Sequence, residues 1–182
     1  MIGQVFAIVG PSGVGKDTLI AGAVAQAPHL HWARRVITRP AEPGGEPYES
    51  VTEDEFDHRL NRADFALHWR AHGLRYGVPR SELAVRASGR HVLFNGSRAA
   101  LRAAQTVFPD LQVVLISASP AALALRLAGR GRESAEAIAD RLARAPYELP
   151  PGLQLREVVN DGPVERGVAR LLGALQPASA AR

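Results

Sequence analysis

A glycine-rich loop near the start of the chain constrains the fold more than any other feature. The segment GPSGVGKD, residues 10–17, follows the apolar run VFAIV and precedes a helical pattern of apolar residues. Gly10, Gly15 and Lys16 match the P-loop pattern G-x-x-x-x-G-K, in which backbone amides converge on phosphate oxygens and the lysine reaches the terminal phosphates. The helix that follows adds the positive end of its dipole. The alternative, a glycine-rich turn with a solvated lysine, does not explain this strand–loop–helix context.

The loop also holds the chain's only lysine. Of the 22 basic residues, all but Lys16 are arginine, so a compact ammonium is retained only where a phosphate would lie. We therefore expect the phosphates of a nucleotide to be bound by one continuous set of residues. That set is Gly10, Pro11, Ser12, Gly13, Val14, Gly15, Lys16, Asp17 and Thr18.

Asp17 departs from the P-loop pattern, because the residue after the lysine is usually Ser or Thr, whose hydroxyl ligates Mg²⁺. A carboxylate is a hard oxygen ligand and can bind Mg²⁺ directly, so Asp17 is the predicted metal ligand. Two other interpretations stay open. Thr18 can supply the hydroxyl from the next position, or Asp17 can simply stabilise the start of the helix electrostatically.

Composition limits the class of protein. A chain of 182 residues suits one domain, and 46% apolar residues allow a sizeable core. The absence of cysteine excludes disulfides and thiolate metal sites and fits a cytoplasmic location. No apolar run is long enough for a membrane span, and the N-terminus does not resemble a signal peptide. The net charge of +4 comes from scattered arginines without an aromatic platform, so we expect no nucleic-acid partner.

The order of elements predicts an α/β fold, with a parallel sheet that carries helices on both faces. One domain spans residues 1–182, with an acceptor-binding insert at about 34–80 and a helical lid at about 126–145. The apolar runs at 4–10, 32–40, 91–96, 111–119 and 155–161 predict strands, and 65–79 predicts a hairpin that turns at Gly73. Helical patterns cover 17–27, 52–61, 80–88, 98–108, 120–145 and 163–175, and the second of these begins with Thr52 and Glu55, a capping-box signature.

A second group of anion-binding side chains follows the second predicted strand. Arg35 and Arg39 are four residues apart and can share one face of a strand, with Arg39 at the end where ligands bind in parallel sheets. Tyr48 and Tyr76 can add hydroxyl donors to such an arginine fork. Each tyrosine alone can equally be a core ring, but the group predicts a clamp for an acceptor phosphate.

Four arginines flank a glycine break in the predicted lid, a composition that is typical of a segment that closes over phosphates. A solvated basic helix face is the competing interpretation for any single arginine. The four residues are Arg126, Arg130, Arg132 and Arg141.

Taken together, the segments GPSGVGKDT, TRPAEPGGEPYESVTEDEF, HGLRYGVP, RLAGRGRESAEAIADRLARA and VVND resemble the guanylate-kinase-like P-loop kinases, in the same order over most of the chain. The resemblance implies phosphoryl transfer that depends on Mg²⁺ and ATP, with Lys16, Arg130 and Arg141 neutralising charge. It also implies that Arg126 and Asn160 lie at the nucleotide, and that Arg39, Tyr48 and Tyr76 hold the acceptor phosphate.

The departures from that family concern the acceptor. The positions that read guanine in the family are Arg35, His68 and Ser97 here, and the first position of the DID segment is Asn95. Without a carboxylate to pair with guanine, the site is expected to take a phosphorylated acceptor that lacks this base. The segments RRVITRPA, FALHWRAHGLRYG and NGSRAAL resemble the branch that phosphorylates ribose 1,5-bisphosphate in phosphonate utilisation.

The resemblance thus implies a small sugar phosphate as substrate and 5-phospho-α-D-ribose 1-diphosphate as product. Arg35, His68, Asn95 and Ser97 would then contact the acceptor. The alternatives are a guanylate or other nucleoside monophosphate kinase, a non-catalytic binding module of the same fold, and a nucleic-acid-dependent ATPase. A homodimer stays open.

Overall fold

Five parallel strands form the centre of the molecule in the computed structural model, which describes residues 1–40, 46–128 and 149–176. This main sheet has the order β2-β7-β1-β8-β9, and each neighbouring pair runs parallel. All five residues of β1 are completely buried, as the apolar run predicts. Its strands are β1 (Val5–Val9), β2 (Leu30–Trp32), β7 (His91–Asn95), β8 (Gln112–Ser117) and β9 (Gln154–Val159).

Helices cover both faces of the main sheet, which confirms the predicted fold class. On one face, α1 (Lys16–Gln26) and α6 (Val164–Ala174) pack against each other and against the sheet. On the other face lies α4 (Arg98–Val107), which buries Ala100, Leu101 and Ala104. A further helix, α5 (Pro120–Ala128), follows β8. The apolar faces of these helices are what the helical periodicity of the sequence predicts.

A second sheet lies between β2 and β7 in the chain. Its strands are β3 (Arg35–Ile37), β4 (Tyr48–Ser50), β5 (Phe65–Ala71) and β6 (Leu74–Pro79), in the order β4-β3-β6-β5. The hairpin of β5 and β6 turns at Gly73 as predicted, and β3 pairs antiparallel with β6 and parallel with β4. After β6 come the short helix α3 (Arg80–Leu83) and a 3₁₀ turn (Ala84–Ser88), which ends at left-handed Gly89.

The helix α2 (Glu53–Asn61) covers one face of the second sheet, where Val36, Phe56 and Phe65 form a small separate core. Thr52 caps this helix, because its Oγ1 accepts a hydrogen bond from the backbone N–H of Glu55 at 3.2 Å. This half of the predicted capping box is therefore present.

The single strand predicted over 32–40 is wrong. The segment divides into β2, which belongs to the main sheet, and β3, which belongs to the second sheet. The backbone N–H of Ala33, which follows β2, donates to the carbonyl of Leu93 on β7, and the chain then leaves the main sheet at Arg34. A continuous extended pattern cannot reveal this switch, because both strands have the same local conformation.

The predicted lid, at about 126–145, lies mostly outside the described residues, and only its residues 126–128 lie within α5. Within the parts of the chain that the structure describes, no helix is both long and apolar enough to cross a membrane.

Candidate active site

The P-loop conformation depends on glycines that other residues cannot replace. Gly15 has φ +94° and precedes the first residue of α1. A Cβ on Gly15 would lie 2.9 Å from Asn160 Nδ2, and one on Gly10 would lie 2.3 Å from the Ile116 carbonyl oxygen. The loop therefore sits against β8 and the end of β9 with its backbone close to both, as the predicted phosphate loop requires.

The Lys16 side chain lies back along the loop. Its Nζ donates hydrogen bonds to the carbonyl oxygens of Gly10 at 2.9 Å and Pro11 at 3.0 Å. The ammonium therefore lies beside the start of the loop, where it is predicted to bind phosphate together with the backbone amides. Its position agrees with a lysine that reaches the terminal phosphates of a bound nucleotide.

Arg126 and Asn160, both predicted at the nucleotide, meet at one carbonyl of the P-loop. Asn160 Nδ2 donates to the Val14 carbonyl at 2.9 Å, and Arg126 Nη1 donates to the same oxygen at 3.3 Å. Arg126 Nη2 also donates to the Asn160 carbonyl at 2.7 Å. These side chains brace the loop from the side of α5 and β9, so they hold its shape whether or not they touch a nucleotide.

Hydrogen bonds among four polar side chains connect the P-loop to the second sheet. Asn95 Nδ2 donates to Asp17 Oδ1 at 2.6 Å and to Glu46 Oε2 at 3.3 Å. Arg35 donates to both oxygens of Glu46, with an Nε–Oε1 distance of 2.6 Å and a second bond from Nη2 to Oε2. Asn95, Glu46 and Arg35 are only 6–8% exposed. The four side chains thus form one network, in which Asn95, Glu46 and Arg35 are buried and Asp17 is half-buried.

Burial raises the pKa of the Glu46 carboxyl above its ordinary value of 4.5. The charge and hydrogen bond of Arg35 oppose that rise of the pKa, the Asp17 carboxylate adds to it, and the Asn95 amide opposes it. Glu46 is thus a desolvated carboxyl between a cation and a second carboxylate, an environment that is frequent at functional sites.

The Arg35 fork is engaged by Glu46, which differs from the open cation that the sequence analysis expected beside the acceptor. Its guanidinium carbon lies 5.0 Å from the centre of the Tyr76 ring and 5.7 Å from that of Trp69. These two rings stack on each other with a centroid distance of 5.3 Å. Arg35 therefore packs beneath an aromatic pair and presents a compensated charge to any ligand there.

Arg39 and Tyr48 come together as predicted, at the ends of neighbouring strands. Arg39 Nε donates to the Tyr48 hydroxyl at 3.2 Å, and its guanidinium lies 4.4 Å from the centre of that ring. The Tyr48 hydroxyl donates in turn to the Pro40 carbonyl at 2.6 Å. The pair offers a guanidinium and a phenol side by side, the donor types that suit a phosphate.

His68 is not brought to this group. It pairs with Gly77 across the hairpin, whereas Trp69 pairs with Tyr76, so alternation along β5 puts His68 on the opposite face. His68 is exposed there, and Trp69 is 7% exposed. The residue opposite Tyr76 is therefore Trp69. The alignment of motifs places His68, its neighbour, at that position.

Ser97 precedes α4, and its buried Oγ has no hydrogen-bond partner among the described residues. The Trp69 Nε1 is likewise buried without a partner there. Arg130 and Arg141 lie outside the described residues, so their predicted role stays a prediction.

Two residues of this site were missed by sequence reasoning. Glu46 lies inside a Pro/Gly-rich segment that contains other glutamates, and its only distinguishing signal is its place two residues before Tyr48. Trp69 is the neighbour of the predicted His68, and the alternating burial along β5 marks Trp69 as the inward-facing residue of the two.

Comparison with known proteins decides the family. A family model described as guanylate kinase matches residues 3–175. The chain belongs to the guanylate kinase family. This confirms the resemblance stated from its motifs.

The narrower resemblance is confirmed as well. The chain is 50% identical over 175 residues to a Ruegeria sp. protein named ribose 1,5-bisphosphate phosphokinase PhnN, covering 96% of this chain and 92% of the relative. It is 42% identical to a Thiobacillus denitrificans protein of the same name, over 99% and 96% of the two chains. An Azorhizobium caulinodans protein named bifunctional ribose 1,5-bisphosphokinase-thymidine phosphorylase is 47% identical, and the match covers only 25% of its length.

Solved structures support the fold. The guanylate kinase from Anaplasma phagocytophilum superposes with a TM-score of 0.69 at 19% identity, over 96% of this chain and 85% of that one. A gluconokinase from Sinorhizobium meliloti superposes with a TM-score of 0.53 at 16% identity, over 95% and 91% of the two chains. At these identities the likeness concerns architecture alone.

Proposed function

We propose that the protein transfers the γ-phosphoryl group of ATP to the 1-phosphate of ribose 1,5-bisphosphate. The products are ADP and 5-phospho-α-D-ribose 1-diphosphate. Two relatives that are 50% and 42% identical over nearly their full length carry the name of this activity. A cytoplasmic location, where ATP is available, is part of the proposal.

The observation that carries the proposal is the Asn95 amide, which contacts Asp17 beside the P-loop and Glu46 beside the second sheet. It links the phosphate loop to the sheet that bears Arg39, Tyr48 and Tyr76. These contacts end at Arg35, whose register partner across β3 and β4 is Tyr48, and this supports one site that combines a triphosphate cradle with the arginine–tyrosine pair. Such a site suits the transfer of a phosphoryl group between two phosphorylated molecules.

The acceptor side also favours a sugar phosphate over a purine nucleotide. Of the three positions matched to base recognition, Arg35 is neutralised by Glu46, His68 lies on the far face of β5, and Ser97 carries no charge. A guanine in this site would leave its N–H donors without a carboxylate acceptor at those positions. A site lacking such partners discriminates strongly against the ligand that needs them.

The chemistry needs little from the protein besides positioning and charge. An oxygen of the 1-phosphate attacks the γ-phosphorus of ATP, and the bond from that phosphorus to the β–γ bridging oxygen breaks as ADP leaves. Because the attacking oxygen is already anionic near neutral pH, no general base is required, and we assign none. Lys16 would neutralise the transferring phosphates, and Arg39 with Tyr48 would orient the acceptor.

The residues present also fit a magnesium ion. Asp17 supplies a carboxylate at the start of α1, beside Lys16, and the Asn95 hydrogen bond fixes it at Oδ1. We propose Asp17, rather than Thr18, as the protein ligand, since carboxylate oxygens suit this hard cation. Bound there, the ion would neutralise charge on the nucleotide phosphates.

The test is an acceptor screen with the purified protein and Mg·ATP. We expect ADP release with ribose 1,5-bisphosphate, and ³¹P NMR should show a diphosphate on the product. The value of kcat/KM with GMP should be at least about 100-fold lower, because the base lacks its partners. Ribose 5-phosphate, which lacks the 1-phosphate, is the matched control acceptor. Equal or faster turnover of GMP would reject the proposal.

A further inference from the structure

Among the residues that the structure describes, Glu46 is the one buried charge of the site that no predicted role explains. We propose that Glu46 is a positioning residue that fixes Arg35 on the acceptor side and, through Asn95, Asp17 on the donor side. The inference rests on the proposed function, because it assigns these two sides to an acceptor and a donor. It adds a determinant that serves both substrates of the same site.

The acceptor arm is the contact with Arg35. Both oxygens of Glu46 accept from the guanidinium, through Nε and Nη2, which is the forked geometry that fixes both position and plane of an arginine. That plane is what keeps the guanidinium near the stacked rings of Tyr76 and Trp69. Without the carboxylate, a buried arginine would have to move toward water to regain partners.

The donor arm is the contact with Asn95. An amide nitrogen carries two hydrogens, and Asn95 directs one to Glu46 and one to Asp17. With carboxylates on both sides, the amide must present its nitrogen, since its oxygen would face anions. Glu46 therefore helps to set which atom of Asn95 meets Asp17, and so the direction of the Asp17 carboxylate.

This arrangement makes separable predictions, because each arm can be cut without removing the other. Arg35→Lys removes the fork of the acceptor arm while keeping a cation beside Glu46, and Asn95→Ala removes the donor arm. Glu46→Gln removes the charge on which both arms depend while keeping the size of the side chain. If Glu46 had a purely structural role, its substitution would lower stability without separate effects on the acceptor and donor sides.

Two binding measurements on the full chain read the two sides without turnover. Acceptor affinity is followed by the fluorescence of Trp69, which stacks on Tyr76, in a Trp32→Phe background that leaves Trp69 as the only tryptophan. Donor-side metal use is followed by calorimetry, as the ratio of ADP affinities with and without Mg²⁺. The acceptor probe is ribose 1,5-bisphosphate.

We expect Glu46→Gln to weaken acceptor binding and to reduce the Mg²⁺-dependent gain in ADP affinity, each by about 10-fold, as is usual when a residue that orients a ligand-binding group is lost. Arg35→Lys, which keeps a cation beside Glu46, should change only the acceptor constant, and Asn95→Ala only the Mg²⁺-dependent ratio. The control is Glu49→Gln, which removes another carboxylate that binds an arginine, Arg59, elsewhere in the second sheet. It should change neither.

A double variant distinguishes a loss of positioning from a general loss of stability. Arg35→Met combined with Glu46→Gln removes both buried charges, so it should recover thermal stability relative to either single variant. Both binding defects should remain in it. Recovery of the Mg²⁺-dependent ratio in the double variant would overturn the inference, because Glu46 would then act only as a counter-ion.

The inference also fails if Glu46→Gln changes one binding constant and leaves the other at the wild-type value. Failure of the proposed function looks different. In that case the wild-type protein binds ADP with Mg²⁺, while ribose 1,5-bisphosphate produces no saturable fluorescence change.

Discussion

The main sheet and the second sheet are stabilised by different interactions. β1, at the centre of the main sheet, has no exposed residue and pairs with a parallel strand on each side. The second sheet, α2 and the segments next to them contain many ion pairs. These are Arg35–Glu46, Arg59–Glu49, Arg59–Glu55, Arg62–Asp64, Arg75–Glu53 and Arg75–Asp57.

This difference matches the proposed reaction, in which the main sheet supports the nucleotide phosphates and the second sheet supports the acceptor. The P-loop extends from the end of β1 and can bind phosphate through backbone amides, which need only a rigid apolar support. The acceptor side uses side-chain charges, and these need counter-charges to hold them in place before a ligand arrives. The comparison predicts that substitutions in the P-loop lower kcat. Substitutions in the second sheet should instead change acceptor affinity and local stability.

The largest effect should follow Lys16→Ala. Its ammonium already lies at the loop, bonded to the carbonyls of Gly10 and Pro11, and the proposed reaction needs it at the transferring phosphate. We expect kcat to fall by about 100- to 1,000-fold or more, as when one charge-stabilising group is lost from an active site. Steady-state ADP release measures this, with a thermal melt to show that the fold is retained. Turnover within a few-fold of wild type would mean that this loop does not carry the chemistry.

Arg39→Ala should produce the next largest effect, on the acceptor. Removing a guanidinium that pairs with a phosphate should raise the acceptor KM by about 10- to 100-fold, equivalent to about 1.4–2.8 kcal/mol, with a smaller change in kcat. The KM for ATP should stay near the wild-type value. Tyr48→Phe, which removes only the hydroxyl bonded to Arg39 Nε, is the graded control and should act in the same direction but less. A larger change in the KM for ATP than in that for the acceptor would contradict the division.

This division also explains what the sequence could predict. The P-loop, its helix and the buried strands follow from local patterns, because a glycine motif and apolar periodicity act within a few residues. Lys16 and Asp17 were found in this way, as was the cap at Thr52. The pairing of Arg39 with Tyr48 was also predicted, since both lie at strand ends in a recognisable motif.

What the sequence did not reveal depends on distant partners. The Arg35–Glu46 pair joins a strand to a loop, and Asn95 joins that pair to Asp17 across 78 positions. The switch of the chain between sheets after Trp32 also leaves no local signal. His68 was misplaced because a shift of one residue along a strand reverses the face, and flanking motifs do not fix register that finely.

A stability prediction sharpens the comparison within the second sheet. Arg75 is 6% exposed, bonds Asp57 Oδ1 at 2.5 Å and Glu53 Oε2 at 3.3 Å, and lies 4.3 Å from the centre of the Phe56 ring. Arg75→Met keeps the aliphatic stem but loses these bonds, and should lower the free energy of unfolding by about 1–2 kcal/mol. Urea denaturation measures the loss.

The matched control is Arg62→Met, since Arg62 pairs with Asp64 with 63% of its side chain exposed. Because solvent screens the exposed Arg62–Asp64 pair, that loss should be clearly smaller than the loss for Arg75→Met. Equal losses for the two variants would show that burial of the arginine does not set its contribution to the second sheet.

The smallest effect concerns pH and belongs to the main sheet. His91, at the start of β7, accepts a hydrogen bond at Nδ1 from the Gln4 backbone N–H at 3.0 Å, and the rings of His29 and Phe6 lie edge-on to it. Burial lowers the pKa of His91 below its ordinary 6.5, and the nearby His29 lowers this pKa further. As the pH falls below 6.5, the unfolded chain therefore takes up this proton before the folded chain does. The stability that neutral His91 contributes is complete above 6.5 and is lost as the pH falls through the lowered pKa.

His91→Gln should therefore flatten the decline in unfolding free energy as the pH is lowered through this range, measured by urea denaturation at a series of pH values. His58→Gln, on the exposed surface of α2, is the control and should leave the wild-type slope unchanged. If His58→Gln flattened the decline and His91→Gln did not, the acid sensitivity would originate in the second sheet with its ion pairs. Proton uptake by His91 would then not be what lowers the stability of the folded chain in acid.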